Sequence, residues 1–188
     1  MEKGTGIVDD KIIRIVLTGS ECTGKSTLAV GLAQHYSTLY IPEYAREYVG
    51  SLSRPYNYDD VVHIAETQTK QLEEYSNRAN RILFLDTYLV ITKVWFDLVF
   101  NRRPDWIDKE LSKHSVDFYL LCDTDIPWEA DPVRENGGPR REFLMGLYKK
   151  ELVNFGCEFG IVQGSGDERL RNAIRLVDNF IQKLTTYV

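Results

Sequence analysis

The segment from residue 12 to residue 26 constrains the fold more than any other part of the sequence. Residues 12–18 are a run of mainly β-branched and apolar side chains, which predicts a buried strand. Residues 19–26 follow directly and read Gly-Ser-Glu-Cys-Thr-Gly-Lys-Ser, matching the pattern G-x-x-x-x-G-K-[ST]. Apolar residues at helical spacing come next. A glycine-rich turn between a buried strand and a helix predicts a loop whose backbone N–H groups surround phosphate oxygens.

Each conspicuous position of this loop has a predicted role. Gly19 allows a backbone conformation that other residues avoid, and Gly24 lets the chain close around phosphate. Lys25 is expected to reach the β- and γ-phosphates, and the Ser26 hydroxyl to ligate Mg²⁺. We therefore predict ATP and Mg²⁺ as cofactors; the alternative is a glycine-rich turn without a ligand. The predicted nucleotide-binding residues are Gly19, Ser20, Glu21, Cys22, Thr23, Gly24, Lys25, Ser26 and Thr27.

Strand-like and helix-like segments alternate along the rest of the chain. Strands are predicted at residues 12–18, 38–41, 82–86, 117–122 and 157–163. Helices are predicted at residues 25–36, 43–52, 59–79, 88–100, 105–114, 140–155 and 167–184. This alternation predicts an α/β fold with a doubly wound, five-stranded parallel sheet of the P-loop NTPase or nucleoside kinase type. We expect one domain over residues 12–188, preceded by a flexible leader over residues 1–11.

Composition narrows the possible partners. The formal net charge of −5 argues against nucleic acid, which is bound through clustered Lys and Arg. The three cysteines have no metal-binding or disulfide spacing. The sequence contains no signal peptide and no apolar run near the roughly 20 residues that span a bilayer. We therefore predict a cytoplasmic enzyme that acts on a small molecule, while its oligomeric state stays open.

Two acidic residues are expected at the edge of the sheet where the phosphate loop lies. Asp86 ends the third predicted strand, where an acid would support Mg²⁺; alternatively, it caps the next helix together with Thr87. Glu43 follows the second strand and could accept a proton from an attacking hydroxyl. Arg46 would hold phosphate or orient Glu43, although the two could also be an exposed ion pair. Gln68 lies on an otherwise apolar helix face, where its amide would contact substrate or the backbone.

A long polar loop follows the fourth predicted strand. Residues 124–141 contain several Pro and Gly residues and three arginines, which is typical of a lid. Arg134 is the best candidate to neutralise charge on a transferred phosphoryl group, with Gly137 and Gly138 as hinges. Trp128 would pack the base of the lid or stack on a substrate ring. The alternative is a charged surface loop.

The motifs together resemble one family. Residues 19–26, 43–49 (Glu-Tyr-Ala-Arg-Glu-Tyr-Val), 84–87 (Phe-Leu-Asp-Thr) and 127–137 (Pro-Trp-Glu-Ala-Asp-Pro-Val-Arg-Glu-Asn-Gly) are similar to the ribosylnicotinamide kinase domain of NadR-type proteins. That domain belongs to the P-loop nucleoside kinase group. The resemblance implies ATP as donor and a ribonucleoside 5′-hydroxyl as acceptor. It places Glu43 or Asp86 near that hydroxyl and Arg134 over the phosphates.

The sequence therefore predicts an ATP-dependent kinase of nicotinamide riboside or a related nucleoside, acting in NAD metabolism. The predicted catalytic residues are Lys25, Glu43, Asp86 and Arg134. The predicted acceptor-binding residues are Glu43, Tyr44, Arg46, Gln68, Trp128 and Asp131, and Ser26 and Asp86 are the predicted metal ligands. Pro42 and Tyr88 differ from the residues common in the family on the acceptor side. The alternatives are a regulatory ATPase and a kinase of another small metabolite.

Overall fold

A computed structural model describes residues 11–129 and 137–186 and contains a parallel sheet of five strands. The strands are β1 (Ile13–Thr18), β2 (Leu39–Ile41), β3 (Ile82–Asp86), β4 (Phe118–Cys122) and β5 (Phe159–Val162). Their order in the sheet is β2-β3-β1-β4-β5. The strand that precedes the phosphate loop is therefore the central one, and the predicted doubly wound α/β fold is confirmed.

Helices connect every pair of consecutive strands. They are α1 (Lys25–His35), α2 (Tyr44–Ser51), α3 (Tyr58–Ser76), α4 (Leu89–Trp95), α5 (Asp105–Ser112), α6 (Pro139–Asn154) and α7 (Gly166–Thr186). The predicted bounds agree with these to within a few residues. One difference is that the fourth predicted helix does not stay α-helical, because residues Phe96–Phe100 form a π-helix.

The core consists of two apolar layers, one on each face of the sheet. Alternate residues of the strands point to opposite faces, so that Val16 and Leu85 belong to one layer and Ile15 and Phe84 to the other. Helices α3 to α6 cover the first layer, and α1 and α7 cover the second. Burial on both faces explains why the strands read as continuous apolar runs rather than alternating ones.

The register of the strands brings the polar residues at their carboxyl ends together. Leu17 pairs with Asp86 across β1 and β3, and Ile41 pairs with Leu85 across β2 and β3. The phosphate loop, Asp86 and the start of α2 therefore meet at one edge of the sheet, which is where open parallel sheets bind ligands. Among the helices of residues 11–129 and 137–186, none is long and apolar enough to cross a membrane.

Candidate active site

The phosphate loop has a backbone shape that depends on its glycines. Gly19 has a φ of 142°, and a Cβ atom there would lie 2.7 Å from the carbonyl oxygen of Cys122. Gly24 has a φ of 73° and caps the N-terminus of α1. Both φ values lie in the region that favours glycine. The turn can therefore aim its backbone N–H groups and the helix N-terminus into the same space.

Side chains inside the loop stabilise this shape. The Lys25 ammonium group donates a hydrogen bond to the carbonyl oxygen of Ser20 at 2.8 Å, and the Thr23 hydroxyl donates to the same oxygen at 2.8 Å. All three residues are buried or nearly so. Apart from Ser20, every predicted nucleotide-binding residue from Gly19 to Thr27 lines one cavity of about 310 Å³, the main cavity.

Asp86 is a buried carboxylate at the end of β3. Its side chain is 3% exposed, and its Oδ1 atom has no hydrogen-bond partner. Burial raises the pKa of Asp86, whereas Lys25, the Ser26 hydroxyl and Arg46 lower it. Helix α4 begins without a side-chain cap, so Asp86 does not serve as the cap that was the alternative interpretation. A buried carboxylate oxygen without a partner beside a serine hydroxyl fits a hydrated cation.

Within the described residues, no cluster of three or more His, Cys, Asp and Glu could hold a metal ion by itself. A cation at Ser26 and Asp86 would therefore depend on phosphate oxygens and water for its remaining ligands, which suits Mg²⁺. The Asp86 side chain also borders a second, more open cavity of about 470 Å³, shared with Ser26, Glu43 and Arg46.

Glu43 lies between the phosphate loop and the rest of the main cavity. It occupies the N-cap position of α2, but its side chain makes no capping hydrogen bond and instead lines both cavities. Burial raises the pKa of Glu43; Lys25 and Arg46 lower it, and Asp86 and Glu21 raise it further. A carboxylate with a raised pKa next to a phosphate-binding loop has the properties of a general base.

Away from the phosphate loop, the main cavity becomes apolar and aromatic. This wall is built from four different helices or loops and includes both residues of an edge-to-face ring pair, Tyr56 and Trp95, whose centroids are 4.8 Å apart. The apolar and aromatic lining residues of these four segments are Tyr56, Ile91, Val94, Trp95, Leu98, Val99, Leu144 and Tyr148, and Ala45 and Val49 of α2 add further apolar lining. The cavity therefore has a phosphate-binding end and an end suited to a flat or apolar group.

Two polar side chains interrupt the apolar wall. Gln68 on α3 is 5% exposed and accepts a hydrogen bond from the Thr92 hydroxyl through its Oε1 atom at 2.8 Å. Both residues line the cavity. Because Oε1 is engaged by Thr92, the amide nitrogen of Gln68 is the group left to donate to a ligand.

The π-helix shapes the mouth of the cavity. Leu98 and Val99 lie within it, line the cavity and are 41% and 48% exposed. Short π-helices occur frequently at functional sites because the extra residue changes which side chains face a neighbouring space. Apolar periodicity gave no sign of this irregularity, because the π-helix forms the last five residues of the predicted helix and no further turn follows that would show the shift.

Several predicted acceptor-side residues have other surroundings. The Tyr44 hydroxyl pairs with Nε2 of His63 at 2.9 Å, and Tyr44 does not line either described cavity. Tyr88 is 2% exposed in the core and likewise lines neither cavity. Pro42 borders only the second cavity.

The lid is described only at its two ends. Trp128 packs against Gly137, where a Cβ atom would lie 3.0 Å from Cε2 of the indole, so Trp128 lies at the base of the loop rather than in the cavity. Asp131 and Arg134 lie outside the described residues. The two other arginines of the predicted lid differ in their surroundings, since Arg140 lines the main cavity and Arg141 is buried beneath the phosphate loop.

Sequence reasoning did not identify Tyr56, Trp95, Arg140 or Tyr148 as residues of the site. Tyr148 lines the cavity, and burial raises its pKa, with a further contribution from Glu21. Arg140 belongs to the predicted lid, and no local motif marks the three aromatic residues. An aromatic residue on the cavity side of a predicted helix was the one available signal, and it does not distinguish a cavity wall from ordinary core.

Known proteins share both the sequence pattern and the fold. The chain is 28% identical over 170 residues to the trifunctional NAD biosynthesis/regulator protein NadR of Escherichia coli strain K12, an alignment that covers 87% of this chain and 41% of that protein. The chain thus spans about two fifths of the length of this relative. The resemblance to NadR-type proteins is confirmed.

Solved structures give the same result for the fold. A crystal structure of NadR protein in complex with NR has a TM-score of 0.69 at 23% identity, covering 90% of this chain and 49% of that one. NadR protein in complex with NAD and AMP-PNP has a TM-score of 0.68 at 22% identity and the same coverage. Deoxyadenosine kinase from M. mycoides, with products bound, has a TM-score of 0.59 at 13% identity, covering 89% of this chain and 100% of that one.

One protein family matches most of the chain. The family described as AAA domain matches residues 14–169, which include β1, the phosphate loop, Asp86 and the beginning of α7. This match begins within the strand that leads into the phosphate loop and covers well over half of the sequence. The chain therefore belongs to the AAA domain family.

Proposed function

We propose that this chain is an ATP-dependent kinase that phosphorylates the 5′-hydroxyl of nicotinamide riboside or a closely related nucleoside. The observation that carries the proposal is the cavity, which runs from the phosphate loop past Glu43 to an apolar, aromatic wall around Tyr56 and Trp95. A nucleoside has the matching layout, with a hydroxyl at one end and a flat ring at the other. The complexes of NadR with NR and with AMP-PNP support this assignment.

The donor side follows from the phosphate loop. Lys25 and the backbone N–H groups of the loop would hold the β- and γ-phosphates of ATP. Ser26 and Asp86 would hold Mg²⁺, which when bound neutralises charge on the phosphates. Arg140 lines the same cavity and would add positive charge near the transferred group, together with Arg134 of the proposed lid.

The acceptor side follows from Glu43 and the cavity wall. Glu43 would accept the proton of the attacking hydroxyl, because it lines the cavity next to the phosphate loop and burial raises its pKa. Asp86 borders the second cavity and not the main one, which favours Glu43 as the base. Arg46 and the Gln68 amide would orient the acceptor, whereas Tyr44 is left out because its hydroxyl pairs with His63.

The cavity volume is compatible with this substrate class. At about 310 Å³ it lies near the lower end of the roughly 300–1,000 Å³ typical of small-molecule sites. We further propose that residues 12–188 act as one domain, with residues 124–141 as a lid, in the cytoplasm.

The experiment is a panel of nucleosides incubated with ATP and Mg²⁺ and scored for phosphorylated product by mass spectrometry. We expect nicotinamide riboside to gain one phosphoryl group, and Lys25→Ala to lower the rate by orders of magnitude, about 10³-fold or more. The matched control is Lys70→Ala, at an exposed lysine of α3, which should keep wild-type activity.

Three outcomes would contradict parts of this proposal. Phosphorylation of a different hydroxyl compound, with nicotinamide riboside inert, would overturn the substrate and leave the kinase assignment standing. ATP hydrolysis that no nucleoside changes, without phosphorylated product, would favour a regulatory ATPase. An active Lys25→Ala variant would refute the assignment of Lys25.

A further inference from the structure

We propose that Arg141 is a positioning residue that couples the phosphate loop to the apolar wall of the main cavity. Arg141 is the third residue of α6 and is 6% exposed. In the reaction, which rests on the proposed function, it would not touch phosphate. It would instead set where the phosphate loop lies relative to the helix that carries Arg140, Leu144 and Tyr148.

One terminal nitrogen of the Arg141 guanidinium group bonds to backbone oxygens of two loops. Its Nη2 atom donates to the carbonyl oxygen of Cys22 at 3.0 Å and to that of Ile126 at 2.9 Å, whereas its buried Nε atom has no hydrogen-bond partner. Cys22 lies inside the phosphate loop with a φ of 59°, a strained conformation for a residue other than glycine. A charged donor on its carbonyl oxygen helps to hold that conformation.

The phosphate loop also bonds to Arg141 in the opposite direction. The Ser20 hydroxyl donates to the backbone carbonyl oxygen of Arg141 at 2.6 Å, and both groups are buried. Ile126, the other residue that Arg141 holds, lies against the loop, since a Cβ atom at Gly24 would be 3.3 Å from its Cδ1 atom. The start of α6 is therefore attached to both sides of the phosphate loop.

The rest of α6 reaches the acceptor cavity. Leu144 and Tyr148 follow Arg141 at helical spacing and line the cavity. Farther along the helix, Glu151 forms a 2.9 Å ion pair with the buried Lys93 of α4, the helix whose residues Thr92 and Trp95 also line it. One rigid helix thus joins the phosphate loop to the apolar wall of the main cavity. A shift of the loop when it binds triphosphate would therefore move the helix and the wall with it.

A lysine could not replace Arg141 in this role. Both oxygens are held by one terminal nitrogen of the planar guanidinium group. A lysine side chain is one bond shorter and ends in a freely rotating ammonium group. Arg141→Lys therefore keeps the charge but does not place a donor where the Cys22 and Ile126 oxygens meet. Ser20→Ala is a milder change that removes one bond and leaves the guanidinium contacts intact.

The test is hydrogen exchange of α6 with AMP-PNP and Mg²⁺, which needs no acceptor. In the wild-type chain we expect bound AMP-PNP to slow exchange of the amides at residues 142–152 by about fivefold or more, the lower end of typical coupling between sites. Arg141→Lys should reduce this effect to less than about twofold, and Ser20→Ala should reduce it partly. Arg175→Lys, an exposed residue of α7, is the matched control and should respond as wild type does.

The outcomes are separable from those of the proposed function. A wild-type chain whose α6 exchange does not respond to AMP-PNP would overturn the inference, even if a nucleoside is phosphorylated. A folded Arg141→Lys variant with the full wild-type response would overturn it as well. If that variant does not fold, a Ser20→Ala variant with the full wild-type response would overturn it instead. A nucleoside panel without product would refute the proposed nucleoside kinase function and leave the exchange result intact.

Discussion

Replacing Gly19 with alanine tests whether the shape of the phosphate loop is set by the fold rather than by its ligand. The φ of 142° at Gly19 belongs to a region that side chains avoid, and the new Cβ atom would lie 2.7 Å from the carbonyl oxygen of Cys122. That oxygen belongs to the last residue of the buried strand β4, so it cannot move aside as a flexible side chain could. Either the loop or the strand must shift.

The expected loss of stability has two sources. An unfavourable φ/ψ combination costs about 1–3 kcal/mol, and overpacking in a well-packed region costs about 1–3 kcal/mol more. We therefore expect Gly19→Ala to lower the free energy of unfolding by roughly 2–6 kcal/mol. For a chain of 188 residues, each kcal/mol shifts Tm by about 2–4 °C, so the expected loss is roughly 4–24 °C.

The assay is thermal and denaturant unfolding without nucleotide, with Gly146→Ala as the matched control. Gly146 lies inside α6, and an added Cβ atom there would meet nothing within 4 Å. Because alanine favours helix over glycine, the control should gain about 0.5–1 kcal/mol. A Gly19→Ala variant as stable as wild type would refute the reasoning, since it would mean that the loop does not hold this conformation against β4.

Three further predictions concern the site. Asp86→Asn should raise Tm near neutral pH while abolishing activity. Burial raises the pKa of Asp86, so the folded state favours its protonated form. The contribution of Asp86 to stability is therefore complete below the ordinary aspartate pKa and is lost as pH rises through the raised value. Thermal unfolding should show the gain shrinking toward low pH, and an equal gain at every pH would contradict this cause. The value of kcat/KM for the nucleoside should fall as pH drops below the raised pKa of Glu43, and Glu43→Gln should abolish this fall along with most activity. If the same fall persists in Glu43→Gln, it belongs to another group. Gln68→Leu should raise KM for the nucleoside by roughly 10-fold or more and leave KM for ATP nearly unchanged, because the side-chain amide that would donate a hydrogen bond to the nucleoside is lost. Equal effects on both KM values would indicate a general packing defect.

The phosphate-loop end of the candidate site could be predicted from the sequence because its signals are local. The glycines, Lys25 and Ser26 lie within eight consecutive residues, and Asp86 and Glu43 each follow a predicted strand directly. The carboxyl ends of parallel strands meet at one edge of the sheet. Knowing the strands was therefore enough to bring these groups together.

The apolar, aromatic wall of the main cavity could not be predicted in the same way. Tyr56, Trp95 and Tyr148 converge only through the packing of separate helices, and nothing in their immediate sequence distinguishes them from core aromatics. Tyr88 shows the opposite case, a residue that the sequence places on the acceptor side but that does not line the cavity. It is adjacent to Thr87, which lines the cavity, yet its own side chain is buried in the core. Side-chain direction at a strand-to-helix turn depends on backbone angles, such as the φ of 73° at Thr87, that the sequence does not reveal.

The central position of β1 has a consequence for how the chain folds during synthesis. Its two partners, β3 and β4, lie far along the chain, with Ile15 pairing with Phe84 on one side and Phe118 on the other. The strand that leads into the phosphate loop is therefore made before either partner and waits unpaired. At about 5–20 residues per second, the roughly 100 residues to β4 take about 5–20 s to be made. Both edges of the apolar strand stay open until β3 is made, and one edge stays open until β4 follows, so the strand that leads into the phosphate loop is exposed to aggregation during synthesis.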